Sequence, residues 1–296
     1  MPASPATEQG APRDGHLPAV AMVLGGILSV QLGSALVTTV FDDLGPGGAV
    51  FLRTLFAGAV LIAIWRPARA ALNRETLRVI ALYGVVLALM NLSFYEALHR
   101  LPLGIAVTLE FTGPLAVALL GSRSRADVLW ALIAACGILL FAPDIGDGLD
   151  PAGVAFALFA GSMWASYILL AARVGRGPAG VGGLSVAMVI ATVILIPIGI
   201  LDGGTGLVEP AALATGFAVA MLSSAIPYVL ELEALRRLPE NVVGVLLSLE
   251  PAAAALIGTI ALGQALAGRE LLAIALVVIA SAGALRSSPE HPTLEA

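Results

Sequence analysis

Hydrophobic residues along this chain fall into long runs, not into the short periodic stripes that a soluble core produces. Each run covers about 20 residues, enough for a helix that rises about 1.5 Å per residue to cross about 30 Å of hydrocarbon. Breaks at Gly, Pro and charged residues separate the runs. The pattern predicts ten membrane-spanning helices, at residues 18–41, 47–65, 76–98, 102–121, 125–142, 152–172, 180–201, 211–235, 240–263 and 269–286.

The composition supports an all-α polytopic membrane protein. Of the 296 residues, 59% are hydrophobic and 12% are charged, whereas about 25% are charged in an ordinary soluble domain. Membrane lipid is therefore an expected partner. Nucleic acid is not, because no basic patch with interleaved aromatic residues is present. The single cysteine, Cys136, excludes an intrachain disulfide and a thiolate metal site.

The arginines predict the orientation in the membrane. All fifteen basic residues are arginines, and cytoplasmic loops carry an excess of basic residues. With ten spans, Arg100 and Arg269 lie on one side, and the other side receives the arginines at 13, 66, 69, 74, 78, 123, 125, 173, 176, 236, 237 and 286. This split predicts that both termini are cytoplasmic, with residues 1–17 as a disordered tail and 287–296 as a second tail.

The chain contains an internal repeat. A shift of 137 residues aligns EALHRLPLGIAVTLEFTGPLAVALLG (96–121) with EALRRLPENVVGVLLSLEPAAAALIG (233–258) without a gap, and places both prolines of each segment in register. The predicted repeats are residues 18–142 and 152–286, with five spans each. Because five is odd, the second repeat enters the membrane from the opposite side, an architecture that is common in secondary transporters.

Two carboxylates lie where the bilayer should tolerate them least. Glu110 and Glu250 fall near the middle of predicted spans, where a charge costs about 2.5–3.5 kcal/mol on insertion scales. Each should therefore face a cavity, pair with another group or be protonated. Pro114 provides no N–H for the carbonyl of Glu110, and Pro251 leaves the carbonyl of Leu247 free in the same way. We expect both carboxylates to border one central space. The freed carbonyls must be covered by protein or water at that depth, and in transporters such carbonyls commonly lie where substrate binds.

Other polar side chains share helix faces at a spacing of three or four residues. The pairs are Asn91 with Tyr95, Tyr228 with Glu231, and Trp164 with Tyr167, and Arg53 is the only arginine inside a predicted span. Each also has a structural interpretation: an arginine near a helix end pairs or extends to the interface, aromatic residues mark that interface, and an asparagine joins helices. With the two glutamates, these residues form the candidate substrate-binding set.

The chain resembles the EamA-type drug/metabolite transporters and, within them, the inner-membrane threonine/homoserine exporters. The resemblance covers about residues 18–286 and rests on LYGVVLALMNLSFY, LPLGIAVTLEFTGPLAVAL, AGSMWASYILL and AIPYVLELEALRRLPENVVGVLLSLEPAAAAL. It implies ten helices in two inverted repeats, a central cavity and efflux of small amino acids across the inner membrane. It also places near that cavity Asn91, Tyr95, Glu110, Trp164, Tyr167 and Tyr228.

The leading functional hypothesis is an exporter of a zwitterionic amino acid. Glu110 or Glu250 would bind the ammonium group, and Arg53, Asn91 or a tyrosine hydroxyl would bind the carboxylate. One glutamate could instead carry a coupling proton. The alternatives are a different cargo, such as another small metabolite or a drug-like cation, an intramembrane enzyme, or a receptor that transports nothing. An enzyme is disfavoured because no HExxH motif and no cysteine near a histidine occurs, and the sequence indicates no metal or cofactor.

Overall fold

The computed structural model describes residues 16–67, 71–120, 125–140, 148–175, 177–227, 230, 234 and 246–287. This part of the chain is built of α-helices, with a short 3₁₀ segment at Gly204–Val208 and a π-helical turn at Met221–Ala225. The α-helices are α1 (His16–Thr38), α2 (Phe41–Ile64), α3 (Arg74–Leu98), α4 (Leu103–Glu110), α5 (Thr112–Leu120), α6 (Arg125–Leu139), α7 (Pro151–Gly175), α8 (Gly180–Gly203), α9 (Pro210–Ala220), α10 (Glu250–Leu262) and α11 (Gly268–Ser287).

The helices have the length and composition of membrane spans. Five stretches in the described residues are long and apolar enough to cross a bilayer, and they fall in α1, α2, α3, α7 and α8. Large apolar side chains also point outward, as Leu24, Leu28 and Leu32 do along one face of α1. An apolar surface of this extent is stable in lipid rather than in water. The prediction of a polytopic, all-α membrane protein is confirmed.

Helix α2 begins earlier than the sequence pattern predicted. The predicted spans at 18–41 and 47–65 left a loop at residues 42–46, but Asp42 and Asp43 lie in the first turn of α2, where carboxylates stabilise the helix dipole. The helix is kinked at Gly45, whose φ of 62° lies in the region that glycine adopts without a steric penalty. Pro46 follows the kink as the first residue of the continuing segment, a position that proline favours. The acidic loop is thus part of a kinked helix.

The predicted spans at 102–121 and 240–263 are both interrupted beside a glutamate. Helix α4 ends at Glu110 and α5 begins at Thr112, because Pro114 cannot donate to the Glu110 carbonyl and its ring crowds that oxygen. Helix α10 begins at Glu250, with Pro251 in its first turn and a turn at residues 248–249 before it. Glu250 therefore lies at a helix start, not in the middle of a continuous helix as we expected.

Helices from the two predicted repeats pack against each other in pairs. Helix α2 packs mainly on α8, α3 on α7 and α8, α6 on α11, and α4 on α10. Glycines allow the closest approaches, and the tightest is between α5 and α7, where a Cβ added at Gly113 would lie 1.8 Å from the carbonyl oxygen of Gly161. These contacts place the broken helix α4–α5 between α7 and α10, facing the interior of the bundle.

Two helix starts are capped by side chains from distant parts of the chain. The backbone N–H of Gly47, just after the kink in α2, donates to Asp202 Oδ2 at 3.0 Å. The backbone N–H of Leu103, the first residue of α4, donates to Gln264 Oε1 at 2.9 Å. Each bond satisfies an N–H group that has no partner within its own helix. Each therefore also ties the first half of the chain to the second.

Arg100 connects two helix ends by ion pairs. It bonds to Glu96 one turn earlier, a spacing at which opposite charges pair on a helix, and its Nε lies 3.5 Å from Asp150 Oδ2 at the start of α7. The equivalent residues of the repeat, Glu233 and Arg237, fall outside the described residues. Arg100 thus joins α3 to α7 and is not available to a central site.

Candidate functional site

A central cavity of about 480 Å³ brings together most of the residues that the sequence singled out. This volume lies within the range of pockets that bind small molecules, about 300–1,000 Å³. Helices α1, α2, α3, α4, α5, α7, α10 and α11 contribute to its walls, as does the π-helical turn. Six of the nine predicted site residues line it: Arg53, Asn91, Glu110, Trp164, Tyr167 and Glu250.

The other three predicted site residues differ from these six. Tyr95 is completely buried behind Arg53 and does not line the cavity. Tyr95 lies one turn after Asn91 on the same face of α3. At that level of the helix this face contacts α2, which carries Arg53. Tyr228 and Glu231 lie outside the described residues, so their placement near the cavity stays a prediction.

Arg53 is held in place by polar groups from two other elements. Its Nη2 donates to the carbonyl of Ser223 at 3.2 Å and its Nε donates to Ser224 Oγ at 3.4 Å. Its Nη1 donates to the hydroxyl of Tyr95 at 3.4 Å, and the guanidinium carbon lies 5.5 Å from the centre of the Tyr95 ring. A planar guanidinium suits such simultaneous contacts. Arg53 therefore does not extend to the interface, which was the structural alternative.

The π-helical turn at Met221–Ala225 provides two of the acceptors for Arg53, at Ser223 and Ser224. A π turn widens the helix and releases backbone carbonyls from the usual i to i−4 pattern, and such turns are frequent at functional sites. Here the carbonyl of Ser223 accepts from Arg53, and the carbonyl of Leu222 accepts from the Ser29 hydroxyl of α1 at 2.7 Å. The turn thus fixes Arg53 and α1 at the cavity wall.

The two carboxylates border the same cavity as Arg53. Glu110 is only 7% exposed and lies at the last residue of α4, while Glu250 lies at the first residue of α10. The charges of Glu250 and Arg53 both act on Glu110, but among the described residues no cation lies within ion-pair distance of the Glu110 carboxylate. Positively and negatively charged side chains therefore line the same cavity.

The backbone carbonyl freed by Pro114 does not face the cavity. A Cβ added at Gly161 of α7 would lie 2.6 Å from the Glu110 carbonyl oxygen, so this oxygen is covered by the α7 backbone. Of the surroundings that the sequence allows for a freed carbonyl, a cover of protein or water or a substrate site, the structure shows a cover of protein at Glu110. Glycine at 161 lets the two backbones approach closely enough for a Cα–H to cover that oxygen.

Aromatic side chains and Asn91 form the remaining wall of the cavity. Trp164 packs edge-on against Phe111 with the ring centres 5.6 Å apart, and Tyr167 packs on Tyr83 at 5.3 Å. Asn91 Nδ2 donates to the Leu87 carbonyl of its own helix at 2.7 Å. Asn91 is thus anchored within α3, and its bond does not join two helices.

The sequence analysis missed four polar residues that line the cavity: Gln31, Ser34, Ser223 and Ser281. Each is at least nine-tenths buried. Within the described part of the chain, Gln31 Oε1, Ser223 Oγ and Ser281 Oγ are buried and have no hydrogen-bond partner. Gln31 and Ser34 are three residues apart in an otherwise apolar run, and this spacing was the one signal that could have identified them.

Known proteins resemble this chain over nearly its full length. Residues 151–286 match the EamA-like transporter family. The chain is 40% identical over 281 residues to the threonine/homoserine exporter RhtA of Salmonella typhimurium (strain SL1344), covering 93% of this chain and 94% of the relative. It is 41% identical over 269 residues to the threonine/homoserine exporter RhtA of Escherichia coli (strain K12), covering 89% and 90%.

A solved structure resembles the chain in fold. One crystal structure superposes with a TM-score of 0.62 at 19% sequence identity, covering 93% of this chain and 98% of the other. At this identity the likeness concerns the arrangement of helices and not the cargo.

Proposed function

Because this chain belongs to the EamA-like transporter family, we propose that it exports small amino acids of the threonine and homoserine type from the cytoplasm. The proteins that match the chain along nearly its full length are exporters. The chain is therefore a transporter and not an enzyme. The substrate class is that of these relatives, which are threonine/homoserine exporters, and the cavity is the independent observation that supports it.

The charge pattern of the cavity carries the proposal. A free amino acid presents an ammonium and a carboxylate a few ångströms apart, and it loses the hydration of both when it enters a protein. Arg53 offers guanidinium N–H donors on one wall, while Glu110 and Glu250 offer carboxylates in the same space. We propose that Arg53, with Asn91, binds the substrate carboxylate, and that Glu110 or Glu250 binds the ammonium. Trp164 and Tyr167 would pack on the substrate, and Tyr95 supports Arg53 from behind.

We further propose ten spans in two inverted repeats, at residues 18–142 and 152–286. The pairing of helices is consistent with this, because α2 with α8 and α6 with α11 are equivalent helices under the repeat, and α4 and α10 belong to equivalent predicted spans. Residues 151–286, which match the transporter family, also agree with the bounds of the second repeat. Alternating access would then move one repeat against the other around the fixed cavity.

The protein would lie in the cytoplasmic membrane with both termini in the cytoplasm, as the arginine distribution predicts. Protons are the proposed coupling ion, because a buried carboxylate such as Glu110 can bind a proton in one state and release it in the other. Tyr228 and Glu231 stay in the proposed site on the strength of their sequence positions.

Flux measurements in proteoliposomes test the proposal. Radiolabelled threonine is loaded with and without a pH gradient, and the wild type is compared with Glu110→Gln. We expect gradient-dependent threonine flux in the wild type and at least about a tenfold loss in the variant, because a neutral amide no longer attracts an ammonium or carries a proton. Glu75→Gln is the matched control, since Glu75 is an exposed residue in the first turn of α3.

The outcomes separate the parts of the proposal. No threonine or homoserine flux in the wild type would overturn the substrate class. Flux that is independent of the gradient would remove the proton from the mechanism. Unimpaired flux in folded Glu110→Gln would remove Glu110 from the site.

A further inference from the structure

Three uncharged polar atoms in the cavity have no partner, although all three are buried. They are Gln31 Oε1 on α1, Ser223 Oγ on the π-helical turn and Ser281 Oγ on α11. A buried polar group without a hydrogen bond is destabilising, so such groups in a cavity indicate a polar ligand or water that satisfies them. Gln31 is the most informative of the three because it is only 1% exposed and carries the largest polar group.

The chemistry of Gln31 narrows what it binds. Its unpartnered atom is a carbonyl oxygen, which only accepts hydrogen bonds, whereas the two serine hydroxyls can donate as well as accept. A substrate carboxylate cannot satisfy Oε1, because it has no hydrogen to donate. A substrate ammonium can donate, but Glu110 and Glu250 attract it more strongly than a neutral amide does. Among the substrate's own groups, the remaining donor is a hydroxyl on its side chain.

We propose that Gln31 is a specificity-determining residue that accepts a hydrogen bond from the side-chain hydroxyl of the exported amino acid. This inference rests on the proposed function and extends it, since threonine and homoserine share a hydroxyl. A site built to bond a hydroxyl discriminates against an analogue that lacks it, because its buried acceptor is then left unsatisfied. Ser281 and Ser223 line the same cavity and complete a polar surface for that hydroxyl.

Threonine and valine provide the direct comparison, because valine replaces the hydroxyl of threonine by a methyl group of similar size. Competition of each unlabelled amino acid against labelled threonine is measured in proteoliposomes for the wild type and for Gln31→Met. We expect the wild type to prefer threonine by about tenfold or more. Gln31→Met keeps the length of the side chain but removes the acceptor, so its preference should fall toward parity.

The control is a replacement by methionine at the neighbouring, exposed position of the same helix. Leu32 is 44% exposed and does not line the cavity, so Leu32→Met should retain the wild-type preference. Gln31→Glu replaces the amide oxygen by a carboxylate oxygen, which also accepts a hydrogen bond. This variant should retain the preference for threonine over valine even if overall flux falls.

The inference would be overturned if wild-type protein transported threonine but valine competed equally well, a result that needs no variant to fold. An equal loss for threonine and valine in Gln31→Met would also overturn it, because that pattern indicates ammonium binding or a structural role. Absence of threonine flux in the wild type is a different result, since it overturns the proposed function and the inference together.

Discussion

The close contact between α5 and α7 allows a sharp test of how the broken helix is held. A Cβ at Gly113 would lie 1.8 Å from the Gly161 carbonyl oxygen, whereas real contacts of this kind stay at or above 3.0 Å. Gly113→Ala therefore forces the two backbones to move away from each other by about 1.2 Å. The obstacle is a backbone atom, which cannot rotate away as a flexible side chain can. Overpacking of this kind costs about 1–3 kcal/mol, and we expect the upper end of that range.

The expected result is a melting temperature lowered by roughly 5–10 °C. The expected cost is about 3 kcal/mol, and each kcal/mol lowers the melting temperature of a chain of this size by a few degrees. Thermal unfolding in detergent measures this change. Threonine flux should fall too, because Gly113 lies three residues from Glu110 and Gly161 lies three residues from Trp164. Gly175→Ala at the end of α7, the partner helix in this contact, is the matched control, since nothing lies within 4 Å of a Cβ there. If both variants had the same melting temperature and the same threonine flux, the reasoning from backbone contact would be refuted.

Two further predictions concern Arg53 and Asp202. Arg53→Lys keeps the charge but loses the planar fork that contacts Ser223, Ser224 and Tyr95, so the KM for threonine flux should rise about tenfold, and an unchanged KM would contradict the assigned role. Asp202→Ala removes the acceptor for the Gly47 N–H and should lower the free energy of unfolding by about 0.5–2 kcal/mol. Glu209→Ala is its control, because the Glu209 side chain makes no capping bond at the start of α9, and equal melting of the two variants would count against the cap.

The sequence was most informative where a polar residue is costly in a membrane. Glu110, Glu250 and Arg53 were predicted because a charge inside an apolar run needs a compensating environment, and the structure places all three at one cavity. The interruption after Glu110 was foreseeable from Pro114. In each case a single residue type carries a large and specific free-energy cost.

Features that depend on the packing of several helices were not predictable. A single serine in an apolar helix is common, so Ser281 gave no distinct signal, and Gln31 was marked only by its spacing of three residues from Ser34. The π-helical turn at Met221–Ala225 has no composition of its own, and it forms where Arg53 and Ser29 provide partners for its carbonyls. The kink at Gly45 looked like a loop, because a glycine before a proline indicates a break without saying whether the helix resumes.

The caps at Gly47 and Leu103 have a consequence for how this protein can evolve. In both bonds the donor is a backbone N–H and the acceptor is a side chain. At Leu103, replacement by any residue other than proline leaves the donor in place, whereas at Gly47 an added Cβ would lie 2.4 Å from Asp202 Oδ2, so glycine must be kept there. With Gly47 kept, sequence change can strengthen or weaken these bonds mainly at Asp202 and Gln264, both in the second half of the chain. Mutations at these two positions would adjust how firmly the halves hold each other while every residue that lines the cavity stays the same. Cargo selectivity and the strength of the connection between the halves are thus encoded at separate positions and are free to vary independently among descendants of this sequence.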